Sequence, residues 1–291
     1  MHGLSAFPIT PTDDDGNPIA AELAGLIDRL GQAGVDSIGV LGSTGGYAYL
    51  TPDQRMRATQ IALDAAQAPV IVGVGALRSD VSARLARHAA DAGAAGLLLA
   101  PMSYTPLTED EVFQHFRTVA GASDLPICIY NNPSTTHFTF SPELLARLAQ
   151  LPQVRAVKMP LPADDDFAGR IAELRSRLPS GFAIGYSGDW GCADALLAGA
   201  DAWFSVAAGL WPEQSLALAR AAMSGDGGKT QEWQARFQPL WDLFIAHGSL
   251  RVVHAAARIM GLTTALPPRP LLPLPDAVMP RLGAAIDALQ G

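Results

Sequence analysis

Along the chain, short runs rich in Val, Ile and Leu alternate with longer stretches in which apolar residues recur at helical spacing. The runs are Leu4–Ile9, Ser37–Leu41, Val70–Val74, Gly96–Ala100, Pro126–Tyr130, Val154–Lys158, Phe182–Tyr186 and Ala202–Val206. They return every 25–30 residues or so, roughly the length of one strand-plus-helix unit. Continuously apolar runs of this length predict strands buried on both faces. Between them, Ala21–Ala33, Pro52–Ala66, Val81–Ala92 and Glu109–Ala122 carry the helical period. Strands that alternate with helices pair in parallel. Eight such units predict an α/β fold, a closed (β/α)8 TIM barrel that leaves no strand at an edge.

Local signals agree with that count. Thr51-Pro52 and Ser141-Pro142 place a capping hydroxyl directly before a proline at the first helical position. Gly34, Gly93 and Gly199 follow helical runs where a left-handed turn leads back to a strand. A last barrel helix is expected over Pro212–Met223, and Ser224-Gly225-Asp226-Gly227-Gly228 reads as a flexible linker. Beyond it, Gln231–His247, Leu250–Met260 and Asp276–Leu289 are helical in period, the last two separated by the proline-rich Pro267–Pro275. The expected organisation is a barrel with the active site over residues 1–225 and a C-terminal helical extension over 226–291.

Composition narrows the function classes. The chain is 291 residues long, 49% hydrophobic and 16% charged, which suits one large buried core. A net charge of −8 with no basic cluster argues against nucleic-acid binding. The first residues have no basic start followed by an apolar run, and no apolar stretch is long enough to span a bilayer. Cys128 and Cys192 lie within apolar segments and read as inert thiols of a reduced, cytoplasmic protein.

In such a barrel the chemistry gathers where the strands end. Those ends are Gly42-Ser43-Thr44-Gly45-Gly46, Pro101–Tyr104, Tyr130-Asn131-Asn132-Pro133, Lys158 and Ser187-Gly188-Asp189. Lys158 stands out, because the chain has two lysines against eighteen arginines and the other, Lys229, lies in the glycine-rich segment. Apolar surroundings disfavour an ammonium ion, and a neutral amine is what attacks a carbonyl to form a Schiff base. The alternative is a lysine ion-paired to a carboxylate at the barrel mouth. Tyr130 ends the preceding strand and can move the protons that imine formation requires; alternatively it only packs there. Gly42–Gly46 lacks the endings of the phosphate-binding loops, but its hydroxyls and backbone N–H groups suit a carboxylate.

Taken together, Gly-Ser-Thr-Gly after the second strand, Tyr-Asn-x-Pro-Ser after the fifth and a lysine ending the sixth resemble the dihydrodipicolinate synthase and N-acetylneuraminate lyase superfamily. Ser187-Gly188-Asp189 and the opening Phe7-Pro8-Ile9-Thr10-Pro11-Thr12 match it as well. The resemblance runs the length of the chain. It implies a class I aldolase-type lyase with Lys158 as Schiff-base nucleophile and Tyr130 as proton shuttle. Thr44 would be bonded to Tyr130, and Ser43 with Thr44 would hold the carboxylate of a 2-keto acid. Gly45, Gly188, Ser205, Thr135 and Tyr104 are the other positions expected along the substrate. A homotetramer or dimer is implied, with no metal or organic cofactor.

Three departures bear on the substrate. Where the synthases carry an arginine that grips a substrate carboxylate, this chain has Thr135, which cannot make a bidentate anion contact. Gly46 replaces a common Glu. Met102-Ser103-Tyr104 stands where the family has a tyrosine pair that completes a relay across a subunit interface. These changes point to a lyase, aldolase or dehydratase for pyruvate or a 2-keto-3-deoxy acid. Authentic 4-hydroxy-tetrahydrodipicolinate synthase is the alternative, and a catalytically silent keto-acid-binding barrel a further one. A metal-dependent hydrolase finds little support: His2, His88, His115, His137, His247 and His254 show no ligand spacing, and only His137 falls near the site. Trp190, Trp203 and Trp211 either line the pocket or pack at the barrel rim, with packing the favoured reading; Asp164-Asp165-Asp166 reads as a helix start and Asp13–Asn17 as a turn.

Overall fold

The computed structural model describes residues 1–290. Among these, eight parallel strands close in sequence order, the first pairing with the last. The strands are β1 Gly3–Ala6, β2 Ser37–Val40, β3 Val70–Gly73, β4 Gly96–Leu99, β5 Ile127–Tyr130, β6 Val154–Met159, β7 Ala183–Tyr186 and β8 Ala202–Ser205. Around them run α1 Ala20–Ala33, α2 Pro52–Ala65, α3 Ser79–Asp91, α4 Glu109–Ala120, the single turn α5 Pro133–Thr136, α6 Pro142–Leu148, α7 Phe167–Arg177, α8 Asp189–Leu197 and α9 Pro212–Met223. Three helices follow: α10 Gly227–His247, α11 Ser249–Ile259 and α12 Met279–Gln290.

The expected caps form. Thr51 accepts from the Gln54 N–H in a reciprocal capping box, and Ser141 accepts from the Leu144 N–H at 3.0 Å. Gly34 turns back from α1 at a φ of 78°. The Asp13–Asn17 segment is a turn closed by the Thr12–Pro18 bridge, and Asp166 caps α7 through the Gly169 N–H.

Two expectations fail. Strand β1 stops at Ala6 instead of Ile9, because Pro8 has no N–H to give a ladder. The anticipated flexible linker is a capped helix start: Asp226 Oδ1 accepts from the Lys229 N–H at 3.0 Å, and α10 already begins at Gly227. Phe237, Leu240 and Trp241 of α10 are buried in the same apolar cluster as Leu196 of α8 and Leu218 of α9. The C-terminal helices therefore share a core with the barrel.

The barrel interior is a second apolar cluster that includes Phe7, Ile71, Leu98, Cys128, Ala156 and Phe204. Glycines make the room for its two phenylalanines. A Cβ on Gly39 would stand 2.2 Å from the Phe7 ring, and one on Gly185 would stand 2.5 Å from the Phe204 ring. The two rings meet edge to face at 6.0 Å between centroids, on one side of the space beneath Lys158.

Two buried histidines set an acid limit on this fold. Burial lowers His115 on α4 and His254 on α11 from 6.5 to about 4. The unfolded chain binds protons at these residues below about pH 6.5, where the folded chain does not. Their contribution to stability is therefore complete above that pH and lost as pH falls towards 4. The loss is on the order of 3 kcal/mol for each residue. We expect the thermal midpoint to fall across this window and a His254→Leu variant to fall less, as scanning calorimetry from pH 7.5 to 4.5 would read.

Candidate active site

The C-terminal ends of the strands open into a cavity of about 800 Å³. Lys158 reaches it from β6, paired in register with Tyr130 on β5. The lysine is 5% exposed, and its Nζ lies 4.2 Å from the Phe7 ring centroid, 4.6 Å from that of Tyr130 and 5.6 Å from that of Phe204. Among the described residues no carboxylate approaches the amine within 4.0 Å, so the ion-paired alternative is not what the structure contains. Aromatic faces attract a cation while leaving the nitrogen lone pair of the neutral amine unoccupied.

The Tyr130 hydroxyl shares a hydrogen bond with Ser43 Oγ at 3.0 Å and accepts one from Asn132 Nδ2 at 2.9 Å. Thr44 lines the cavity and is 7% exposed, but the hydroxyl bonded to Tyr130 is that of Ser43 and not the expected Thr44. Just past β2, Leu41 turns the chain through the left-handed region at a φ of 57°, so strand alternation does not carry over to the two consecutive hydroxyls that follow. Gly73 makes way for the same turn, since a Cβ there would meet the Leu41 carbonyl oxygen at 1.9 Å. The N–H groups of Ser43 and Thr44 donate to no acceptor among the described residues, leaving two donors at the loop that the sequence assigns to a carboxylate.

The remaining expected residues divide. Thr135 and Gly188 line the cavity. Gly45 does not; it lies where a Cβ would meet the Leu41 backbone N at 2.9 Å, and its smallness lets the loop fold back. Ser205 is fully buried and does not line the cavity; its hydroxyl accepts from the Ala208 N–H at 3.0 Å. Tyr104 is 97% exposed and absent from the lining, although its neighbours Met102 and Ser103 contribute to it. His137 is exposed and does not line the cavity, while Trp203 and Trp211 pack and the half-exposed Trp190 lines the rim.

Sequence reasoning missed Phe7, Tyr47, Asn132 and the role of Asp189. Tyr47 lines the cavity, its phenol pushed up by burial and by Tyr130, and the Arg55 guanidinium lies 5.3 Å from its ring centroid. Arg55 is held by the carbonyls of Gly73 and Gly75 at 2.9 and 2.8 Å, and burial lowers it to about 10. The Asp189 carboxylate accepts from Trp203 Nε1 at 2.8 Å and from the N–H groups of Val206 and Ala207 at 3.1 and 2.9 Å; burial pushes its carboxyl up. It ties the start of α8 to the loop after β8. Among the described residues no group of three or more His, Cys, Asp or Glu could hold a metal, and no helix is long and apolar enough to cross a membrane.

A lysine at the end of β6 beside a hydroxyl-bonded tyrosine at the end of β5, in a TIM barrel, defines a class I aldolase-type lyase. The profile of the Dihydrodipicolinate synthetase family matches residues 1–289, and the chain belongs to that family. It is 33% identical over 293 residues to the 4-hydroxy-tetrahydrodipicolinate synthase of Haloarcula marismortui, covering 100% of this chain and 94% of the relative. Among solved structures it resembles a dihydrodipicolinate synthase from Agrobacterium tumefaciens str. C58, with 55% identity, a TM-score of 0.97 and coverage of 99% and 98% of the two chains. It also resembles a dihydrodipicolinate synthase from Acinetobacter baumannii crystallised with pyruvate, at 25% identity, a TM-score of 0.90 and 99% of each chain.

Proposed function

We propose that this lyase joins pyruvate to an aldehyde, or releases it from one, through an imine on Lys158. The observation that carries the reading is the Lys158 amine seated on three aromatic faces, beside a Tyr130 hydroxyl already bonded to Ser43. The amine attacks the keto carbon and the carboxylate rests on the free N–H groups of Ser43 and Thr44. Tyr130 carries protons to the carbinolamine oxygen, which leaves as water. Of the particular activities, the named relatives support condensation with aspartate semialdehyde, the 4-hydroxy-tetrahydrodipicolinate synthase reaction. They favour that activity over the less specific lyase expected from the substituted residues.

A second reading, cleavage or dehydration of a 2-keto-3-deoxy acid, rests on the acceptor end of the cavity. Among the described residues Lys158 is the only lysine or arginine in the lining, and Thr135, Ser103 and Ser187 offer hydroxyls instead. Neutral hydroxyl-bearing partners suit such a wall better than a second carboxylate. The cytoplasmic reading rests on two buried, unpaired thiols. Assembly as a tetramer or dimer rests on Tyr49, Leu77 and Tyr104, which stand 43%, 66% and 97% exposed at and beside the cavity mouth.

The test is to incubate the protein with pyruvate, reduce with borohydride and map the adduct by peptide mass spectrometry. We expect a single adduct on Lys158. No adduct with pyruvate or with longer 2-keto acids would mark a silent barrel. With the adduct in hand, turnover of pyruvate and aspartate semialdehyde near tens per second supports the synthase reaction, and turnover only with 2-keto-3-deoxy acids supports the second reading.

A further inference from the structure

The Tyr130 oxygen meets two side chains, and they differ in what they can do with a proton. Ser43 Oγ, at 3.0 Å, can donate or accept. Asn132 Nδ2, at 2.9 Å, only donates. The Asn132 amide is oriented from its other end, where Ser134 Oγ donates to Oδ1 at 2.8 Å. Its backbone is fixed as well: the carbonyl accepts from the N–H groups of Thr135 and Thr136 at 3.1 and 3.0 Å, and Pro133 restricts its conformation. The amide lines the same cavity as Lys158.

A phenol has one proton to place. With an N–H already directed at its oxygen, that proton cannot lie towards Asn132 and is left for Ser43 or for a reactant above Lys158. The reverse amide orientation would offer Oδ1 to the phenol and draw the proton away from the cavity. We propose that Asn132 is a positioning residue for proton transfer at Tyr130. It directs the hydroxyl proton into the cavity and holds the oxygen once the proton has left. This inference rests on the imine reading given above.

Pyruvate itself is a sufficient probe, because imine formation needs the proton transfers and requires no second substrate. We expect Asn132→Val to slow the borohydride-trapped adduct on Lys158 by about 10- to 100-fold at saturating pyruvate, the effect of losing a hydrogen bond to a charged group. The pyruvate concentration giving half the maximal rate should change little, because the Asn132 side chain bonds to the phenol and to Ser134 and not to the Ser43 or Thr44 N–H groups. Asn132→Asp should be slower still near pH 8, where its carboxylate accepts the phenol proton. It should recover as pH falls towards the ordinary carboxylate range, where a protonated carboxyl donates again; a residue that merely fills space gives no such recovery. A circular-dichroism melt of each variant separates loss of fold from loss of rate. A Val variant trapped within about twofold of the wild-type rate, or an Asp variant with the wild-type pH profile, overturns the role given to Asn132 alone. Wild-type protein that forms no adduct overturns the imine reading and this inference together.

Discussion

Replacing Lys158 with methionine is expected to eliminate the borohydride-trapped adduct and lower turnover by at least about 10⁴-fold, as deletion of a covalent nucleophile does. The fold should survive, and its thermal midpoint should stay level or rise. Lys158 is 5% exposed and has no carboxylate partner to lose, and its neighbours are the faces of Phe7, Tyr130 and Phe204. A thioether of similar length makes favourable contacts with the same rings. Loss of activity without loss of stability in a single substitution is the mark of a residue kept for chemistry. Turnover retained within tenfold would show that the reaction does not pass through this amine.

Asp189→Ala is expected to have the largest effect on stability. The carboxylate is 2% exposed and gathers the Trp203 indole N–H and the Val206 and Ala207 amides. Removing it leaves those buried donors without an acceptor, at a cost of about 3–5 kcal/mol. For a chain of this size that lowers the thermal midpoint by roughly 10 °C. Imine formation should slow as well, because Phe204 and Val206 line the cavity that the carboxylate holds in shape. Asp189→Asn should fall between the two, since its carbonyl serves Trp203 while its amide hydrogens oppose the backbone N–H groups. Calorimetry of the three proteins would check the order; equal midpoints would mean the loop after β8 holds itself.

The barrel was legible because its strands are buried on both faces, so eight apolar runs announce themselves without any need for register. Lys158 was legible for a compositional reason: a chain nearly free of lysine keeps one at a strand end. What stayed hidden depended on backbone twist or on partners distant in sequence. Ser43 and Thr44 are adjacent hydroxyls beyond a left-handed turn at Leu41, where strand alternation no longer says which one meets Tyr130. Ser205 and Asp189 both sit near strand ends in the sequence. Asp189 reaches the lining of the cavity, whereas Ser205 is fully buried outside it. Phe7 lies beyond its strand and next to a proline, which gives no hint of a ring beneath an amine contributed by β6. The glycine-rich 224–228 segment misled because composition alone cannot reveal a cap.

The seat of Lys158 has a consequence for the newborn chain. Phe7 and Phe204 meet at 6.0 Å only because β1 pairs with β8, the two ends of the barrel order. At about 5–20 residues per second of synthesis, roughly 10–40 s separate the appearance of these two residues at the ribosome. Lys158 is made in roughly the last quarter of that interval, and until Phe204 follows it has no finished aromatic bed. On the imine proposed above, Lys158 acquires its aromatic setting only when the last strand is in place, and chemical competence arrives together with closure of the barrel.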